Sequence, residues 1–253
     1  MWLRLRQICL VTSAIDAVAE DLQSVFGIAL CHIDSAVHQY GLENRLFPIG
    51  NQFLELVAPT RPGTAAGRYL ERRGGDGGYM VINQCDELAP RRSRIEALGV
   101  RVANWLDYND FQGMQLHPRD TGGAFFEIDF QSGSTAEDGP WHPAGPDWQA
   151  HRRTDVVDAI VAAELQSPAP QPLGRRWAEI AGLELRQEGD GAAMALANAT
   201  LRFVPERDGR GEGLAALDLR ATDAAAARAA AATRGLLAAD GSIQICGTRF
   251  NLV

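Results

Sequence analysis

The sequence predicts an α+β fold made of four strand–helix–three-strand units, βαβββ, arranged as two tandem pairs. Three observations predict it. Short β-rich runs alternate with single amphipathic helices, the same order of elements returns at a constant offset, and one turn-rich stretch interrupts the pattern midway.

In the first unit, "LRQICLV" reads as a strand. Ile15, Val18, Leu22, Val25 and Phe26 then recur at helical spacing until Gly27 stops the helix. "ALCHIDSAVHQYGLENRLFPIGNQFLELVAP" follows, punctuated by Gly and Asn, and reads as three strands. "GGDGG" lacks the Lys and Ser/Thr of a phosphate loop and ends a helix, so it reads as a flexible turn. The second unit begins at "GGYMVINQCDELAPRRSRIEALGVRV" and closes with strands around "RVANWL" and "MQLHPRDTGGAFFEID". Gln7 and Met80 occupy matching places in the two opening strands, 73 residues apart. Glu55 and Glu127 match in the two closing strands, 72 apart. A duplicated unit explains that agreement.

The stretch "QSGSTAEDGPWHPAGPD" reads as a linker. The domains are therefore expected at 1–132 and 154–253, with residues 133–153 between them. The second half repeats the theme in weaker form. "AIVAAELQSPAPQPLGRRWAEIAGLEL" with "AAMALANATLRFVPE" gives the third unit, and the fourth carries an alanine-rich helix of high propensity. At the places matching Glu55 and Glu127 it has Arg202 and Asn251, with small residues near Ala162 and Ala215 on the opening strands. The polar site is thus expected only in the first half.

Composition narrows the function. The 253 residues carry a net charge of −8 and no basic cluster, which argues against a nucleic-acid surface. No apolar run is long enough to span a membrane. The opening residues read as a strand, and a signal peptide is not expected. Cys9, Cys31, Cys85 and Cys246 lie far apart, which suits reduced thiols in a cytoplasmic protein. The chain has no lysine, so Schiff-base and lysine-base mechanisms are excluded.

Tandem units whose closing strands each carry one acid resemble the vicinal oxygen chelate superfamily, which includes glyoxalase I, methylmalonyl-CoA epimerase, extradiol dioxygenases and bleomycin-resistance proteins. "FLELVAP", "GGYMVINQCDELAPRRSRIEALGVRV" and "LHPRDTGGAFFEI" follow the order of the epimerase and glyoxalase-like branch. The resemblance covers residues 5–130 well and the remainder as a degenerate echo. It implies that each pair of units curls into an open, cup-shaped mixed sheet with helices outside. It also implies metal-ligand places at Gln7, Glu55, Met80 and Glu127. The family's metal-binding members carry histidine at the first and third of these. Glutamine and methionine here leave Gln7, Glu55 and Glu127 to hold a divalent ion such as Mg²⁺, Mn²⁺ or Zn²⁺ only weakly.

Period-two alternation puts Phe125, Glu127 and Asp129 on one face of their strand, and Phe53 with Glu55 on one face of theirs. An outer, solvated face and the concave face are both open to a lone acid. Matching positions, each with an aromatic two residues earlier, favour the concave face. Two acids in one cavity repel, so one holds its proton more tightly, as acid–base catalysis needs. Glu55 and Glu127 are the catalytic candidates. Gln7, Cys9, Arg45, Phe53, Met80, His117 and Phe125 are candidates for lining a substrate site. His117, before Pro in a turn, also suits a local hydrogen-bonding role. Cys9 and Cys85 read as buried thiols rather than nucleophiles.

Two functions stand at this point. One is a lyase or isomerase of the glyoxalase and epimerase type, acting on a small oxygenated metabolite. The other is a non-catalytic protein that sequesters a small molecule, as bleomycin-resistance members do. A monomer or a homodimer would serve either.

Overall fold

The computed structural model describes residues 1–253. The strands form two seven-stranded mixed sheets, neither closed on itself. The first contains β1 (Leu3–Val11), β2 (Leu42–Ile49), β3 (Gln52–Pro59), β4 (Gly77–Cys85), β5 (Val102–Asp107), β6 (Phe111–Leu116) and β7 (Phe125–Gln131), in the order β2-β3-β1-β4-β7-β6-β5. The second contains β8 (Val157–Ser167), β9 (Leu185–Glu188), β10 (Gly191–Ala195), β11 (Thr200–Pro205), β12 (Gly213–Ala221), β13 (Ile243–Ile245) and β14 (Thr248–Leu252), in the order β13-β14-β12-β8-β11-β10-β9. Six helices accompany them: α1 (Ile15–Phe26), α2 (Ala65–Arg73), α3 (Ala89–Ala97), α4 (Pro118–Thr121), α5 (Pro170–Ala181) and α6 (Ala224–Thr233). None is long and apolar enough to cross a membrane.

The order of strands carries the predicted duplication. β4 and β8 each pair in parallel with the closing strand of their own unit, β7 and β11. The first and fourth units are shorter than expected. Where a third strand was expected after α1, the chain makes one bridge, His32 to Leu46, and a 3₁₀ turn over Ser35–Tyr40. The physical reason is local: the Asp34 carboxylate accepts from the Ala36 amide and begins the turn, so the backbone leaves the ladder. The fourth unit repeats this, with a single bridge from Leu237 to Ile243.

Packing divides the chain into two compact units, each drawing strands from both sheets. One comprises Met1–Gln7, Tyr79–His142 and Ala162–Leu214; the other comprises Ile8–Gly78, Pro143–Val161 and Ala215–Val253. In the first unit Trp177 of α5 is the central side chain. Its ring stacks on Phe126 of β7 at 4.5 Å and meets Phe203 of β11 edge-on at 5.9 Å. Its indole N–H donates to the Gly122 carbonyl at 3.2 Å. The turn "TGG" needs its glycines for this approach. Gly123 has φ +70°, and a Cβ there would lie 2.8 Å from Leu165. In the second unit Phe26 of α1 packs on Phe250 of β14, at 5.1 Å. Gln52 exchanges two hydrogen bonds with the Ile160 backbone, and Arg234 clamps Asp21 and Glu20.

The segment expected as a linker is part of the core instead. Trp141 and Trp148 are each 1% exposed, and Ala144 between them is fully buried. Gly and Pro report turns, which are compatible with burial when bulky anchors sit between them.

Truncating Trp177 to alanine removes the centre of the first unit. A loss of about 3–5 kcal/mol in unfolding free energy is expected, read from urea denaturation. Trp105→Ala, at an exposed aromatic, should cost less than ~1 kcal/mol by comparison.

Candidate functional site

β7 explains the acids of the first unit. Its alternation sends Phe126 toward α5 and therefore Glu127 and Asp129 to the opposite face. On β4 their ladder partners are Ile82 and Gln84; on β6 they are Gln115 and Gly113. Glu127 is 3% exposed and Asp129 is fully buried. Burial, followed by the charge and the hydrogen bond of Glu127, pushes the Asp129 carboxyl well above the usual carboxylate range. Gly113 makes room for it, since a Cβ there would collide with Asp129 Oδ1.

This face is covered. Arg4 donates to the carbonyls of Ser134, Thr135 and Ala136 at 2.9, 3.2 and 2.9 Å, and to Gln84 Oε1. Gln84 also donates to the Ser134 carbonyl, at 3.1 Å. Arg6 donates to the carbonyls of Glu137 and Gly139. Burial lowers its pKa to about 9, with the Arg4 charge adding to the effect and Asp138 and Glu137 opposing it. Trp141 follows: its N–H donates to Gln7 Oε1 at 2.8 Å, and its ring meets Phe111 edge-on at 5.4 Å. Residues 134–141 thus form a strap over the acid-bearing face, held mainly through backbone carbonyls.

The remaining candidates fall as follows. Met80 and Phe125 are ladder partners beside Glu127. His117 caps α4, accepting from the Arg119 amide at 3.2 Å, with Arg101 3.5 Å away. In the second unit Glu55 is 8% exposed and accepts from Asn44 at 2.8 Å; Asn44 in turn accepts from the Asp34 amide. Phe53, on the same face as Glu55, meets Trp148 edge-on at 5.0 Å. Arg45 pairs with Leu56 in the ladder, which places it on the face opposite Glu55, where it binds Asp16 of α1 at 2.9 Å. Cys9 is a buried thiol outside any disulfide, and burial raises the Cys85 thiol to about 12.

No three His, Cys, Asp or Glu side chains are assembled to hold an ion. The donor set of the first unit does not fit a hard divalent cation, because Gln7 Oε1 accepts from Trp141 and Met80 offers a thioether.

The second sheet exchanges the expected correspondence: β11, with Arg202, takes the place of β7, and β14, with Asn251, takes the place of β3. Arg202 stands opposite Glu164 on β8 and pairs with it at 3.2 Å. Asn251 stands opposite Asp218 on β12 and donates to it at 2.8 Å. Sequence reading missed Asp129 as a site residue because it has no counterpart in the repeat that carries Glu55, although its face was legible. Arg4, Arg6 and Gln84 gave no motif. Their role depends on a strap that binds through its backbone.

No family model and no curated protein matches the sequence. Among solved structures, a hypothetical protein from Staphylococcus aureus shares the fold over 100% of both chains, with a TM-score of 0.67 and 14% identity. Streptomyces coelicolor methylmalonyl-CoA epimerase, solved with 2-nitronate-propionyl-CoA, is 22% identical over 52% of this chain and 99% of its own, with a TM-score of 0.45. A hypothetical protein from Bacillus halodurans is 18% identical over 53% of this chain and 98% of its own, with a TM-score of 0.47. At these identities the likeness concerns fold.

The raised Asp129 pKa gives a stability signature. An unfolded aspartate titrates near ~3.9, and the folded one titrates higher. Between the two values the folded state binds the extra proton, so this contribution is complete at low pH and is lost as pH rises through the folded pKa. Asp129→Asn should flatten that decline in a series of urea unfolding curves.

Proposed function

We propose that the chain is a glyoxalase-like protein of the vicinal oxygen chelate type that performs acid–base chemistry on a small oxygenated metabolite. The observation that supports this reading most is the proton-holding Asp129 beside Glu127 on a buried strand face. Structural cores have no reason to bury two carboxyls together, whereas proton transfer uses such a pair.

In this reading Glu127 accepts a proton from the carbon next to a substrate carbonyl, and the electron pair moves onto the carbonyl oxygen as an enolate. The Asp129 O–H donates a hydrogen bond to that oxygen. Delivery of that proton from Glu127 to the former carbonyl carbon, while Asp129 protonates the enolate oxygen and takes up the proton of the neighbouring hydroxyl, completes an isomerisation of an α-hydroxycarbonyl compound. No metal is required by these steps. The strap over residues 134–141 has to move for substrate to reach the acids, and its removal from the face would carry Trp141 with it.

A second reading, small-molecule sequestration without chemistry, is favoured by one observation. The buried Trp141, packed edge-on against Phe111 beside the acid-bearing face, makes aromatic contact of the kind an apolar receptacle uses.

The discriminating experiment is deuterium exchange from D₂O into the α-carbon of small α-hydroxycarbonyl compounds such as dihydroxyacetone, followed by NMR. Catalysed exchange should fall by about 10²-fold or more in Glu127→Gln, and Asp129→Asn should also slow it. Ligand binding without exchange, unchanged in both variants, would establish sequestration instead.

A further inference from the structure

A second site lies away from the acids, on the outer edge of the first sheet. β5 is its terminal strand, and the register between β5 and β6 slips at Ala103: Val102 faces Leu116, while Asn104 faces Gln115. That bulge has a consequence for side chains. In a regular strand, Val102 and Trp105 would point to opposite faces, three residues apart. With Ala103 inserted, both join the face of Leu116 and Met114. Trp105 is thereby turned toward α3.

Between α3 and β5 a groove of about 370 Å³ results, within the range of small-molecule sites (roughly 300–1,000 Å³). Its apolar side chains include Ile95, fully buried, and Val100, 6% exposed. Val102 and Trp105 are 39% and 36% exposed, an unusual outlay of apolar surface on a sheet edge. Arg92 places its guanidinium 5.1 Å from the Trp105 ring centroid. Its Nε donates to Glu96 at 2.8 Å, so the pair is internally neutral and presents no net charge to recruit an ion. Ala103, skipped by the ladder, also lines the groove and adds backbone polarity to an otherwise apolar wall.

We propose that this groove binds one small, uncharged, planar aromatic or heteroaromatic molecule, stacked against Trp105. Size, aromatic wall, charge balance and the bulge that aims Trp105 all favour such a ligand. The proposal is independent of the acid–base reading, because Val102 and Trp105 share the face of Leu116 and Met114, opposite Glu127 and Asp129.

The test uses the full chain with indole as an uncharged probe and benzoate as an anionic one, followed by saturation-transfer NMR and titration calorimetry. Indole should bind saturably with a Kd of about 1 mM or tighter, and benzoate should bind more weakly. Trp105→Ala should weaken indole at least tenfold, and Val102→Ser several-fold. Both side chains are substantially exposed, so melting temperature should barely change, which separates loss of the site from loss of the fold. Absence of saturable indole binding, or binding unaffected by both substitutions, overturns the proposal. Tighter binding of benzoate overturns the uncharged class. A concentration-dependent dimer abolished by Trp105→Ala also overturns it, because a second copy of the chain would then be the occupant.

Discussion

Asp129 has no exposed surface and lies two residues from Glu127 on the same face of β7. Two ionised carboxylates cannot share such a place at tolerable cost, so the fold holds a proton there. Much of the first unit is arranged around that constraint. Gly113 leaves the volume the carboxyl fills, Gln84 stands opposite it on β4, and Phe126 anchors the reverse side of the strand against Trp177. Arg4 and Arg6 donate to strap carbonyls, and the ladder neighbours of Asp129 are the uncharged Gln84 and Gly113.

The second sheet shows the other solution to the same problem. Gln84 on β4 and Gln166 on β8 occupy equivalent ladder positions, and each binds the loop that follows its closing strand: Ser134 in one case, Gly211 in the other. The scaffold is thus repeated down to one glutamine. At the closing-strand place the repeats diverge. β11 carries Arg202, which pairs with Glu164, where β7 carries Glu127 beside Asp129. Paired charges make the second sheet's version self-satisfied. The first sheet keeps a carboxyl whose pKa is raised, and the proposed chemistry rests on it.

Elements with strong periodicity were legible in the sequence. α1 follows Ile15, Val18, Leu22, Val25 and Phe26, and the glycine after it adopts φ +66°. The duplication was legible from Gln7, Met80, Glu55 and Glu127 because register is fixed along a parallel ladder. The residues near His32 and Leu237 were not, since one Asx turn diverts a short edge strand at little cost. The strap was misread because backbone carbonyls carry its anchoring bonds, and no side-chain pattern marks that. Asp129 was visible on the correct face, but a search for duplicated acids passes over an acid that occurs once.

The most direct test of the account is a ¹³C NMR titration of the side-chain carboxyl carbons of Asp129 and Glu127, assigned through Asp129→Asn and Glu127→Gln. The account predicts an Asp129 carbon that keeps the shift of a protonated carboxyl well above the ordinary aspartate range. Its titration should move in Glu127→Gln, because the neighbouring charge is gone. An Asp129 that titrates as a free aspartate, indifferent to Glu127, would contradict the shared proton and with it the assignment of acid–base chemistry to this face.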